Sequence, residues 1–128
     1  MSDEKRDIGR IGWIDLTVPD AEKIRDFYIK VVGWKSAPVS MGEYDDYCMI
    51  PPDENNPIAG ICHALGVNKE IPPQWVIYIT VENLDDSIAS CKELGGEVIV
   101  GPKNMDKKSR YCIIKDPSGA VASLFEKM

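Results

Sequence analysis

In the run W-I-D-L-T-V at residues 13–18, apolar and polar side chains alternate. A strand turns successive side chains to opposite faces. Ile14, Leu16 and Val18 therefore share one face, and Trp13, Asp15 and Thr17 share the other. Asp15 is the one charged group in this alternation. Enclosed by apolar neighbours, its carboxyl would be pushed up by desolvation, which suits a general base or an anchor for a cationic ligand. The competing role is structural, a hydrogen bond to nearby backbone or to a tyrosine hydroxyl that steadies the sheet. Tyr78, in W-V-I-Y-I-T at 75–80, is the candidate partner, and Tyr78 or Tyr47 the candidate acid in any proton transfer. Trp13 serves either as a stacking surface or as core filler.

The same alternation extends the polar face to other strands. Val76, Tyr78 and Thr80 fall out of phase with a core face, as do Val121, Ser123 and Phe125. Tyr47 or Cys48 joins them, depending on register. Aromatic walls with one carboxylate and several hydroxyls make a binding surface for a small molecule, apolar with a few orienting polar groups. His63, the single histidine, sits among apolar neighbours in G-I-C-H-A-L at 60–65 and reads as structural or exposed rather than as a ligand. The basic stretch K-N-M-D-K-K-S-R at 103–110 fits a solvated hairpin turn, with contact to an anionic ligand as the alternative.

The elements that must carry these residues follow from caps and periodicity. A first strand spans Ile11–Val18, and Asp20 is a good N-cap for a helix that sets Ala21, Ile24, Tyr28 and Val31 on one side, with Phe27 beside them. Gly33 stops that helix. Strands are expected near Lys35–Val39, Glu43–Ile50 and Ile58–Ala64, before the turn-rich connector G-V-N-K-E-I-P-P-Q at 66–74. The pattern then restarts. At an offset of 63, Ile77 falls under Ile14, Thr80 under Thr17, Asn83 under Asp20 and Gly96 under Gly33. A second helix places Leu84, Ile88, Cys91 and Leu94 on one side, and R-Y-C-I-I at 110–114 echoes D-Y-C-M-I at 46–50 at an offset of 64. Such an internal repeat decides architecture. Each half reads strand, helix, then three strands, so the class is α+β with helices on one sheet face. The opposite face is then either covered or left as a lined cleft. Module 1 covers about 10–65 and module 2 about 74–127 of a single domain.

Composition narrows the partners. The chain has 128 residues, 44% hydrophobic and 28% charged, with a net charge of −6. That balance suits one globular domain, and the negative charge argues against nucleic acid, which is met by basic patches. Cys48, Cys62, Cys91 and Cys112 form no C-x-x-C pair and lie in apolar surroundings, as expected of buried free thiols in a reducing compartment. The charged start M-S-D-E-K-R-D reads as frayed and lacks an apolar signal region, and no apolar run reaches the length of a membrane span. The expected setting is cytoplasmic, with no membrane partner.

The duplicated pattern resembles the vicinal oxygen chelate superfamily of glyoxalase I, bleomycin-resistance proteins and extradiol dioxygenases. The resemblance rests on Phe27-Tyr28 followed by V-V-G-W at 31–34, and on K-D-P-S-G-A at 115–120 with S-L-F at 123–125. The W-I-D-L opening, P-P-Q-W at 72–75 and the Arg110 region look closest to a glyoxalase-like group known as hydroxylase-like. The resemblance implies paired βαβββ modules whose eight strands curve around a cleft, with four positions that hold a divalent metal in the enzymes. Carried onto this chain, those positions fall on Trp13, near Gly60, on Val76 and on Ser123. None is a normal ligand for a catalytic divalent ion, which wants imidazole nitrogen or carboxylate oxygen. A rebuilt site from Asp15, Cys62 or His63 is open, but no spacing demands it, and no metal or other cofactor is expected.

Three functions remain. The first is metal-free binding of a small, partly aromatic organic molecule, for sequestration, resistance or sensing. The second is a lyase or isomerase with Asp15 as base. The third is a structural role in which the sheet face pairs with a partner or makes a homodimer.

Overall fold

The computed structural model describes residues 7–128, so the frayed start expected at the N-terminus falls largely outside the described residues. Among the described residues, eight strands, two α-helices and one 3-10 helix (Gly66–Glu70) build an α+β chain with mixed strand pairing. The chain divides into two compact units, Ile14–Trp75 and a second made of Val76–Met128 with the segment up to Trp13. The division cuts the first strand because Gly9 donates to the Thr80 carbonyl at 2.7 Å and Thr80 donates to the Arg10 carbonyl at 2.9 Å.

In the Ile14–Trp75 unit, β1 (Ile11–Val18) leads to α1 (Ala21–Val32), then β2 (Lys35–Ser40), β3 (Asp45–Ile50) and β4 (Ala59–His63). The strand order is β2-β3-β4-β1, with β1 parallel to β4 and the other pairs antiparallel. Asp20 caps α1 by accepting from the Lys23 amide, and Gly33 ends it at φ 89°, donating to the Ile29 carbonyl at 3.0 Å. Only a residue without Cβ adopts that left-handed turn at little cost. The core lies between α1 and one sheet face, where Leu16, Val18, Ala21, Tyr47, Met49, Ala59 and Ile61 are buried. Each large apolar side chain fully buried there contributes about 1.5–3 kcal/mol. Trp34 and Trp75 close the cluster around Tyr28, with ring centroids 5.3–6.0 Å apart, and the Trp75 indole donates to the Tyr28 hydroxyl at 3.1 Å.

The apolar stripe of α1 is narrower than its sequence suggests. Ile24, Tyr28 and Ile29 pack on the core, while Phe27 and Val31 stay 52% and 63% exposed. Val31 stands in the last turn, next to the helix end at Val32, and Ile29 packs on the core instead.

The second unit repeats the plan with β5 (Trp75–Thr80), α2 (Leu84–Glu93), β6 (Glu97–Asp106), β7 (Ser109–Lys115) and β8 (Val121–Lys127). Its order is β5-β8-β7-β6, with β5 parallel to β8. Leu84, Cys112 and Leu124 are buried, with Ile79, Val81, Ile88, Val98 and Ile114 packed against them. Asn83 accepts from the Asp86 amide at 3.0 Å, and Glu126 reaches from β8 to accept from the Leu84 amide at 2.7 Å. Arg110 holds that glutamate at 3.0 Å and Asp85 at 3.3 Å. Leu94, expected on the buried side, is 75% exposed because α2 stops at Glu93. The left-handed residue after α2 is Gly95, φ 96°, not the Gly96 that the repeat aligned with Gly33. Gly96 is required for space instead, since a Cβ there would meet Cys91 Sγ at 2.7 Å and the Lys115 carbonyl at 3.0 Å. The 103–110 stretch closes the β6–β7 hairpin, with Asp106 accepting from the Lys108 amide and the Ser109 hydroxyl.

Candidate functional site

Within each unit the helix covers one sheet face, and the residues with chemistry lie on the other. In the Ile14–Trp75 unit, Asp15 on β1 pairs with Gly60 on β4, which pairs with Cys48 on β3, which pairs with Ala37 on β2. The next row along holds Thr17 opposite Cys62. Partners in register share a face, so Asp15, Cys48, Cys62 and Thr17 stand together over a floor of small residues. Thr17 is buried, while Asp15, Cys48 and Cys62 are half-buried. Gly60, between Asp15 and Cys48 in that row, supplies no side chain.

The thiols report the field of this face. Burial pushes the Cys48 thiol up, and the Asp15 carboxylate pushes it further. Cys62 is driven up far more strongly, by burial first, then by Asp15 and by Asp46, to which its thiol also donates a hydrogen bond. Both groups are therefore neutral thiols at neutral pH and poor nucleophiles. Asp46, buried, also accepts from the His63 amide at 2.8 Å and lies 3.2 Å from His63 Nδ1. The single histidine is thus half-buried between that carboxylate and the rings of Tyr44 and Tyr47.

The structure corrects one residue of the expected surface. Tyr47 pairs with Ile61 in the helix-side core, 4.5 Å under the Arg25 guanidinium, and its hydroxyl is pushed up chiefly by burial. Cys48, its neighbour, takes the position on the helix-free face. The cause is a register slip in the repeat. Cys48 stands beside Gly60 as Ile113 stands beside Ser123, an offset of 65 rather than the 64 of the sequence echo. A slip of one residue turns every side chain of a strand over.

In the second unit, Tyr78 pairs with Ser123, which pairs with Ile113. The neighbouring row runs Thr80, Phe125, Tyr111, Lys103. Val76, Val121, Ser123 and Phe125 take the expected face by alternation with Ile79 and Leu124, which lie in the helix-side core. Tyr111 and Ile113 were missed. Tyr111 stands 6.2 Å from Tyr78 between ring centroids, and the same register slip hid it. Asp15 and Tyr78 belong to different units.

The four positions that the resemblance assigns to metal ligands fail as a donor set. Val76 is 2% exposed and Ser123 fully buried, with the Ser123 hydroxyl donating to the Cys112 carbonyl at 3.0 Å. Indole offers only an N–H donor, and Gly60 no side chain. Among the described residues, no three His, Cys, Asp or Glu side chains are placed to hold a metal ion. None of their helices is long and apolar enough to cross a membrane.

Comparison with known proteins agrees with the architecture. The chain is 30% identical over 118 residues to the anthracycline biosynthesis protein DnrV of Streptomyces peucetius, covering 92% of this chain and 42% of that protein. It is 26% identical to CFP32 of Mycobacterium tuberculosis, covering 92% of this chain and 46% of the relative. The chain thus spans less than half the length of these curated relatives. Among solved structures, Streptomyces coelicolor methylmalonyl-CoA epimerase matches with a TM-score of 0.58 at 16% identity, over 94% of this chain and 95% of that one. A hypothetical protein from Bacillus halodurans C-125 matches with a TM-score of 0.60 at 13% identity, with the same coverage. These two likenesses concern the fold alone. The family model of the Glyoxalase/Bleomycin resistance protein/Dioxygenase superfamily matches residues 10–124, and the chain belongs to that superfamily.

Proposed function

We propose that this protein captures a small, partly aromatic organic molecule on its helix-free sheet face, without a resident catalytic metal, for sequestration, resistance or sensing. The observation that supports the reading is the chemistry of the positions the resemblance implies: Trp13 and Val76 offer no usable side-chain lone pair, Gly60 has no side chain, and Ser123 is a fully buried neutral hydroxyl donating to the Cys112 carbonyl. The surroundings suit capture. In the unit of Val76–Met128, Tyr78, Tyr111 and Phe125 share the helix-free face with the buried Ser123, an aromatic surface with hydroxyls at hand. Ligand surfaces are commonly apolar with a few such groups. DnrV, named for anthracycline biosynthesis, supports a polycyclic aromatic as the first molecule to try.

Titration with an anthracycline, followed by tryptophan fluorescence in the presence of a chelator, tests the proposal. Saturable binding is expected to survive the chelator and to weaken about tenfold in Tyr78→Ala, as loss of a stacking aromatic costs about 0.5–1.5 kcal/mol beyond its buried area. Failure of the anthracycline and of a panel of smaller aromatics to bind overturns it.

A further inference from the structure

We propose that Cys48 and Cys62 together hold a soft divalent ion that prefers two sulfur ligands, of which the mercuric ion is the type, as a linear dithiolate on the helix-free face of the Ile14–Trp75 unit. This is independent of capture of an organic ligand. Both cysteines are free and half-buried, so they are accessible to a small ion. They sit on adjacent antiparallel strands, Cys48 beside Gly60 and Cys62 two residues further along β4. Side chains two residues apart on a strand share a face, so the pair is a diagonal one across the ladder. Diagonal Cα atoms lie roughly 7–8 Å apart, beyond the reach of an unstrained disulfide. A metal–thiolate bond of about 2.3 Å sets the two sulfurs of a linear complex roughly twice that distance apart. The diagonal pair is therefore too wide for oxidation to a disulfide and suits one bridging ion.

Charge and ligand chemistry select the ion. Soft thiolate sulfur prefers soft metals. Hard divalent ions want several oxygen or nitrogen donors, and no three suitable side chains converge among the described residues. On binding, two S–H bonds break, two S–metal bonds form and two protons leave to solvent, with no change in oxidation state. A divalent ion with two thiolates is neutral overall, which removes the penalty that the Asp15 and Asp46 carboxylates place on a bare thiolate. The same carboxylates attract the incoming cation.

Mercuric chloride is the probe, added to the reduced protein in excess glutathione, and the ion that stays with the protein is counted by mass spectrometry after gel filtration. One ion per chain is expected to be withheld from glutathione. The chelate depends on both sulfurs, so Cys48→Ser and Cys62→Ser should each lower retention on the order of a hundredfold, while Cys91→Ser and Cys112→Ser keep it. Circular dichroism confirms that each variant is folded. Retention unchanged in Cys48→Ser or Cys62→Ser, or loss of the ion to glutathione by the wild type, overturns the proposal.

Discussion

Asp15 and Cys48 flank Gly60 in one row of the sheet, and the carboxylate acts on the thiol across that position. Its charge is second to burial among the causes that push both Cys48 and Cys62 up. Asp15→Asn removes that charge at constant size. The thiolate fraction at pH 8 should rise, and alkylation of Cys48 by iodoacetamide should accelerate by roughly two- to tenfold, read by mass spectrometry of the labelled peptide. An unchanged rate would mean that the carboxylate faces elsewhere. The face of Asp15 was legible from W-I-D-L-T-V alone, because alternation within one strand needs no partner. The face of Tyr47 was not. It depends on which residue of β3 stands beside Gly60, and pairing register is a property of two strands.

At the scale of the element, the two helices show how far caps and stripes can be trusted. Asp20, Asn83 and Gly33 act as their types suggest, since a side-chain oxygen at an N-terminus and a glycine past a C-terminus answer to local geometry. Phe27, Val31 and Leu94 stay exposed because helix length and the sheet beneath decide which apolar residues find a partner. The N-terminus of α2 carries a contact that sequence periodicity could not disclose. Glu126, 42 residues on, accepts from the Leu84 amide. Glu126→Ala should therefore lower stability by about 1–2 kcal/mol through the lost cap, read as a shift of the urea midpoint. Glu126→Gln keeps an acceptor oxygen and should recover most of the loss. Equal destabilisation by both variants would assign the effect to the Arg110 ion pair rather than to the cap.

For the whole molecule, the repeat made the plan of each unit readable, because caps, glycines and strand lengths recur at nearly one offset. The two units differ in what they present on the helix-free face. One unit presents Asp15, Thr17, Cys48 and Cys62 over a small-residue floor, and the other presents Tyr78, Tyr111 and Phe125 around Ser123. The two units share one strand and helix plan, and the face of one is polar where that of the other is aromatic. Superfamily membership fixes the framework but not the chemistry, since one fold hosts many activities. The proposal that this chain holds no resident catalytic metal rests on the positions the resemblance implies, Trp13, near Gly60, Val76 and Ser123, whose residues are not the usual ligands of a catalytic divalent ion. Metal content of the purified full-length protein, measured by plasma mass spectrometry without added chelator, tests that claim most directly. The account predicts nickel, zinc, manganese and iron all far below one equivalent per chain. One equivalent of any of them, retained through purification, would contradict it.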